Sequence, residues 1–290
     1  MDFTKKFVKA KRPCADGFRW FIRHYEDGGD YQELLDALVA DGRVNDACWL
    51  LDQFGPTDGL RVVDAVDADA LVFAGTLEVR GNIDTAGLVR AGRSIHAEGG
   101  IRAGGSLIAG EDLRVGGSVR VEGDVDVGGD IRVGWGIEVF GGLRGRGDLR
   151  AGWDVQISGP FDLAGNGFVG LDLNVGGVMR CGKGLHVHGT IEAEDDVRAH
   201  HGIVAGHEIR TANHIEAGWG IKAGGAIVAG GAVRAGESLE AQEEIQAGDG
   251  YGVFAGLAVP VEAWDASARV VARARPRGLM SGWWDGRELR

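Results

Sequence analysis

From Leu71 to Gly256 the chain divides into 31 consecutive six-residue units without a single insertion or deletion. Residues 221–238, IKAGGAIVAGGAVRAGES, are three of these units in a row. The first position is Leu, Ile, Val, Met or Phe in 29 units, with Gly167 and Tyr251 as exceptions. The third is a second apolar seat, mostly Ala or Val. Phe73, Ile157, Leu163 and Cys181 are its larger or softer fillers, and Thr85, Gly145 and Thr211 depart from it. Between them sits a residue that is usually charged, as in Arg102, Glu138 and Lys222, and the last three positions are rich in Gly, Asp, Ser and Asn.

Apolar residues at one and three around a polar two are the alternation of a short strand, one face in and one face out. The remaining three positions carry turn chemistry. Glycine tolerates positive φ, and Asp, Asn and Ser bond their own backbone, so each unit reads as a strand and a corner. Strands this short leave no room for crossover helices. The packed solution is a mainly β fold, a β-solenoid of hexapeptide units whose successive strands form the sides of a coil. Three sides need 18 residues per coil, so this region makes about ten coils and, at ~4.8 Å per rung, a rod about 50 Å long.

Two segments flank the repeat. Residues 1–58 have few glycines and show helical spacing in GFRWFIRHY, DYQELLDALVADGR and VNDACWLLDQFG, where Gly42 marks a helix stop. They read as a domain of about three helices. The solenoid domain then covers 59–256, its first imperfect coil being LRVVDA and VDADA. Residues 257–290 break the rhythm and carry Trp264, Trp283 and Trp284. They read as a cap over the last coil, because solenoid ends expose strand edges and an apolar cross-section.

The run VRVEGDVDVGGDIRVGWGIEVFGG, residues 119–142, resembles the bactofilins, bacterial cytoskeletal proteins. That resemblance implies a β-helix whose domains join end to end into filaments. The repeat is also similar to that of the hexapeptide-repeat acyltransferases. Their pattern puts a small residue two places before a larger aliphatic one, whereas here the large residue comes first, as in Ile101 and Ala103. No loop of the kind that carries a catalytic histidine in those enzymes interrupts the 31 units.

Residues 18 apart share a side, so the sequence folds into columns. Arg114, Arg132 and Arg150 occupy position two of three consecutive coils, and Trp135 and Trp153 occupy position five beside them. This ladder is the candidate partner-binding site, suited to a phosphate-bearing or acidic partner, or to stacked bases. A structural reading competes with it, in which arginine stems cover glycine backbone and the tryptophans shield a corner. His186, His188, His200, His201, His207 and His214 form the other cluster, but the columns spread them over three sides, with His201 beneath Trp219. No metal, cofactor or catalytic set is expected from them, since a metal wants three or four convergent ligands.

Net charge is −12, and the rod carries most of it, with 17 basic against 28 acidic residues. Such a rod raises the possibility of nucleic-acid mimicry, which requires acids gathered into stripes. No apolar run approaches the ~20 residues of a membrane span. The start MDFTKKFVKAKRPCADG lacks the apolar core of a secretory signal, and the three cysteines, expected as buried thiols, cannot form a closed disulfide framework. The expectation is a cytoplasmic, non-catalytic scaffold that binds a protein partner or itself, flat glycine-rich faces favouring side-to-side contact.

Overall fold

The computed structural model describes residues 5–25 and 29–286. The repeat winds into a solenoid of three parallel sheets with 13, 11 and 12 strands, here called faces A, B and C. The strands are short, with a buried–exposed–buried pattern, as in Ile101–Ala103 and Ile221–Ala223. Between Leu71 and Gln246 each pairs with the strand 18 residues away in strict register. Val119 lies opposite Ile101 on one side and Ile137 on the other. The inward residues form one continuous core from Phe73 to Ala272.

Departures from the apolar rule have local remedies. Thr85 and Thr211 are buried, and their hydroxyls donate to the carbonyls of Gly87 and Asp195. Gly145 and Gly167 are filled from neighbouring coils. A Cβ on Gly145 would lie 2.9 Å from Leu163 Cδ1, and one on Gly167 would lie 2.7 Å from Leu185 Cδ1. Core volume is thus shared between rungs.

The corners work differently from the sequence expectation. No glycine between residues 71 and 247 has positive φ; among the described residues the positive-φ glycines are Gly42, Gly55, Gly250, Gly256, Gly278 and Gly282. Proximity is the reason for glycine instead. A Cβ on Gly206 would stand 1.9 Å from the carbonyl oxygen of His188, one coil back. The corner amides bond to that preceding coil, Gly116 to Ala97 at 2.8 Å and Gly117 to Gly99 at 2.9 Å. Aspartate and asparagine do not chiefly bond their own backbone either. Asp112 Oδ1 accepts the Asp130 N–H at 3.0 Å, Asp130 accepts that of Asp148 at 2.9 Å, and Asp148 accepts that of Asn166 at 2.8 Å.

Among the described residues four helices precede the rod: α1 (Lys5–Ala10), α2 (Ala15–His24), α3 (Tyr31–Ala40) and α4 (Val44–Phe54). That is one more than the apolar spacing predicts, α1 being too short to show a period. Asp30 caps α3 by accepting the Gln32 and Glu33 amides, and Gly42 at φ +71° follows its end. The rod then opens with β1 (Leu60–Val63), β2 (Val66–Ala68) and β3 (Leu71–Phe73). The helices pack on β3, and Leu35 and Leu50 share a core with Val72 and Ala74. Gln32 meets the open edge of β3 as a further strand would: its Nε2 donates to Val72 O at 3.0 Å and its Oε1 accepts the Ala74 N–H at 2.9 Å. In β1 the register slips by one residue from the sequence reading, so that Arg61 and Val63 take the core side opposite Leu77 and Val79. The Arg61 guanidinium lies over the Phe73 ring at 4.7 Å and pairs with Asp36 at 2.7 Å, covering the core's end.

The tail covers the last coil as expected, and it does so by continuing the winding. Arg269–Val271 and Trp283–Trp284 extend face A, and Leu279–Ser281 extends face C. Face B stops at Ile245–Gln246, which gives the unequal strand counts and 11 to 13 rungs in place of ten. Trp284 packs against the end of the core.

Gly206→Ala is expected to destabilise the rod by roughly 1–3 kcal/mol, because its new methyl meets a backbone carbonyl that cannot yield. Gly184→Ala should be near neutral, since a Cβ there meets nothing closer than 3.5 Å. Paired urea titrations of the two variants check the contrast.

Candidate interaction surface

Face A places Arg114, Arg132 and Arg150 side by side through the pairing of Leu113–Val115, Ile131–Val133 and Leu149–Ala151. They line an open groove of about 1080 Å³ that also takes in His96. Their charged ends are already engaged. Arg114 Nη2 lies 3.0 Å from Asp112 and Arg132 Nη2 lies 2.7 Å from Asp130, while the Arg150 guanidinium sits 4.5 Å from the Phe168 ring. The aspartates are rungs of the corner ladder described above, one carboxylate per coil. Stacked like charges repel, so the arginine column offsets a strain that the ladder creates. Each exposed pair adds only about 0–1 kcal/mol.

Asp148 has the clearest electrostatic signature of the ladder. The Asn166 backbone N–H holds its carboxyl below the usual value against the opposing pull of burial, with help from the Asn166 side chain and, more weakly, Lys183 and Arg150.

Trp135 and Trp153 stack at 5.4 Å with 8° between ring planes, and each is about half exposed, at 51% and 52%. They stand at the corner where face A turns into face B. Neither lines the arginine groove; Trp135 instead borders a recess with Arg102 and Arg120. The five candidate residues therefore form two adjacent columns rather than one interleaved site.

Other members of this surface escaped the sequence reading. Leu171, 48% exposed, follows Trp153 by one coil, and the exposed Phe168 follows Arg150 by one coil. At the corner on the other side of face A, His201 and Trp219 stack at 4.1 Å and 6°, in the register predicted for them. Leu171 and Phe168 follow from the same 18-residue step that aligns Trp153 and Arg150.

The remaining histidines serve separate ends. His186 packs edge-on to His188 at 5.3 Å, and His214 Nδ1 accepts the Ala232 N–H at 2.9 Å as a step of a corner ladder. Among the described residues no three His, Cys, Asp or Glu side chains are placed to hold a metal ion. Cys181 is buried and its Sγ approaches the carbonyls of Gly165 and Gly184; burial pushes its thiol up, as it does that of half-buried Cys48. Cys14 is exposed, contrary to expectation, because it caps α2: its Sγ accepts the Gly17 N–H at 3.1 Å. Outward acids on face B are interrupted by bases, the column running Asp67, Asp84, Arg102, Arg120, Glu138 rather than forming an unbroken acidic stripe.

A family model described as the YdhT N-terminal domain matches residues 1–54, the helical part of the chain. No curated protein and no solved structure matches the sequence. Among the described residues no helix is long and apolar enough to cross a membrane.

The depressed Asp148 value fixes a sign. Its contribution is present above the ordinary carboxylate range near pH 4 and is lost as pH falls through the lower native value. Asp148→Asn keeps an oxygen to accept the Asn166 N–H and relieves repulsion in the ladder. Its melting temperature is expected to fall less than that of the parent between about pH 7 and pH 3, as read by circular dichroism.

Proposed function

We propose that the protein is a non-catalytic interaction scaffold that offers face A and its corners to a protein partner. One observation carries this reading: Trp135 and Trp153 stand stacked and half exposed at one corner of the rod, with exposed Leu171 one coil further on. Exposed tryptophans concentrate binding energy when a partner covers them. The arginine column gives such a partner a fixed pattern of donors, and acidic groups on it would compete with Asp112 and Asp130 for them. The rigid register holds these groups in place before binding, which lowers the entropy lost on association. No cofactor enters this role, and three unpaired thiols suit a cytoplasmic setting.

A second reading, filament formation in the manner of the bactofilins, is favoured by the open sheet edges. Among the described residues, β1, β2 and Ile245–Gln246 each have a strand on one side only. Open edges recruit further strands. Against this stands the Gln32 cover over β3, which occupies one of the three edges at the first coil.

The test of the first reading is a photo-crosslinking residue placed at position 153 in the native cell. A single dominant adduct is expected, and it should vanish when Arg132→Ala and Trp135→Ala are added, with the melting temperature within a few degrees of the parent. Negative-stain images that show polymers of purified protein, with no adduct, would favour the second reading instead.

A further inference from the structure

The aromatic ladder at the corner between faces A and B stops abruptly. Trp153 covers one side of Trp135, but the same corner position one, two and three coils earlier is Gly117, Gly99 and Gly81. The side of Trp135 turned away from Trp153 therefore borders bare backbone. It helps to line an open recess of about 440 Å³ formed with the preceding coils. Asn82, Asp84, Glu98 and Arg102 stand around the same recess, all exposed. The Arg102 side chain makes no ion pair or hydrogen bond among the described residues, whereas that of its neighbour Arg120 is held by Glu138 at 2.6 Å and lies over Phe140.

We infer that this recess is a binding site for a neutral saccharide. The C–H face of a sugar ring is flat and apolar and covers an indole well, while its rim of hydroxyls both donates and accepts. The recess offers that combination: one indole surface, two carboxylates as acceptors, one free guanidinium as donor, and the Asn82 amide, whose Oδ1 accepts the Gly100 N–H at 2.8 Å and whose NH2 group is left to donate. The charge balance decides against the other planar ligand that a tryptophan ladder suggests. Arg102 and Arg120 line the recess beside Asp84 and Glu98, and Arg120 is already paired with Glu138, so on a chain of net charge −12 the recess offers the phosphates of a nucleic acid no excess of positive charge, whereas a neutral sugar needs none. The glycine floor extends over successive coils at ~4.8 Å each. It leaves room for a short chain of rings to run along the corner from Trp135 toward Asn82.

The inference rests on the view that this corner is a binding surface, but it uses a different side of Trp135 from that facing Trp153. Arg102 lies outside the proposed protein-binding set, so the two readings separate. The experiment titrates the full-length protein with maltohexaose, cellohexaose, chitohexaose and an oligothymidylate, following tryptophan emission and isothermal heat. At least one oligosaccharide is expected to bind with a dissociation constant of roughly 0.1–5 mM. Trp135→Ala should weaken that binding at least about tenfold and Arg102→Ala severalfold. Trp219→Ala, on the far corner, should leave it unchanged. If no oligosaccharide binds up to about 20 mM, if Trp135→Ala binds as the parent does, or if only the oligothymidylate binds, the inference is overturned. Loss of saccharide binding in Arg102→Ala with the protein adduct at position 153 intact would separate this site from the scaffold role, and the reverse pattern would sink the scaffold role alone.

Discussion

Everything in this molecule depends on how closely one coil can approach the next. A hydrogen-bonded stack at ~4.8 Å per rung requires corner backbone to pass over corner backbone, with no strand length in reserve to bend around an obstacle. At Gly206 and Gly236 the preceding carbonyl comes to 1.9 and 1.8 Å of where a Cβ would lie. Glycine is therefore a spacing requirement here rather than a conformational one. The same closeness lets one Asp, Asn or Ser side chain serve the amide of the following coil, as in Ser106 with Asp124 and Asp124 with Gly142. Corner polar groups that water would otherwise have to satisfy are satisfied by the next repeat, which makes the repeats cooperative.

This dependence explains which features were legible in the residues alone. Apolar seats at positions one and three mark out the strands, and the 18-residue coil taken as the usual closure of such units is what pairs Val119 with Ile101 and Ile137. Corner chemistry was legible as composition but not as mechanism. Glycine and aspartate are turn formers in most settings, and nothing within a single six-residue unit reveals that their partners lie 18 residues away. The ends were least legible. Arg61 takes an inward seat at the first coil, where the cross-section faces a helix and Asp36 rather than another coil. Its identity gave the opposite expectation, since a charged residue in a repeat normally points out.

The candidate surface shows the same division. Columns of residues follow from the period, so the alignment of Arg114, Arg132 and Arg150 and the stacking of Trp135 on Trp153 were readable in advance. Side-chain direction was not. The arginines reach back toward Asp112 and Asp130 at the preceding corner, while the tryptophans stand at the following one. A period fixes where a Cα lies along and around the rod, but the neighbour a long side chain chooses depends on charges at the adjoining corner. The ladder of carboxylates, required by the backbone, draws the arginines to it.

A surface built in this way has a consequence for how it acquires function. Because the backbone uses the inward seats and the corner acceptors, the outward position two is the seat the fold leaves open, whereas a side chain at corner position five must fit closely over the preceding corner, a Cβ on Gly117 standing 2.9 Å from the Gly100 nitrogen. Trp135, Trp153 and Leu171 occupy three successive copies of one such seat, and His201 and Trp219 occupy two copies of another. Placing apolar rings at half-exposed seats gives up solvation that a polar residue would keep, with no return in core packing. Repetition of the choice on consecutive coils produces flat, evenly spaced, rigid platforms, and rigidity of that kind favours capture of a partner that is itself regular.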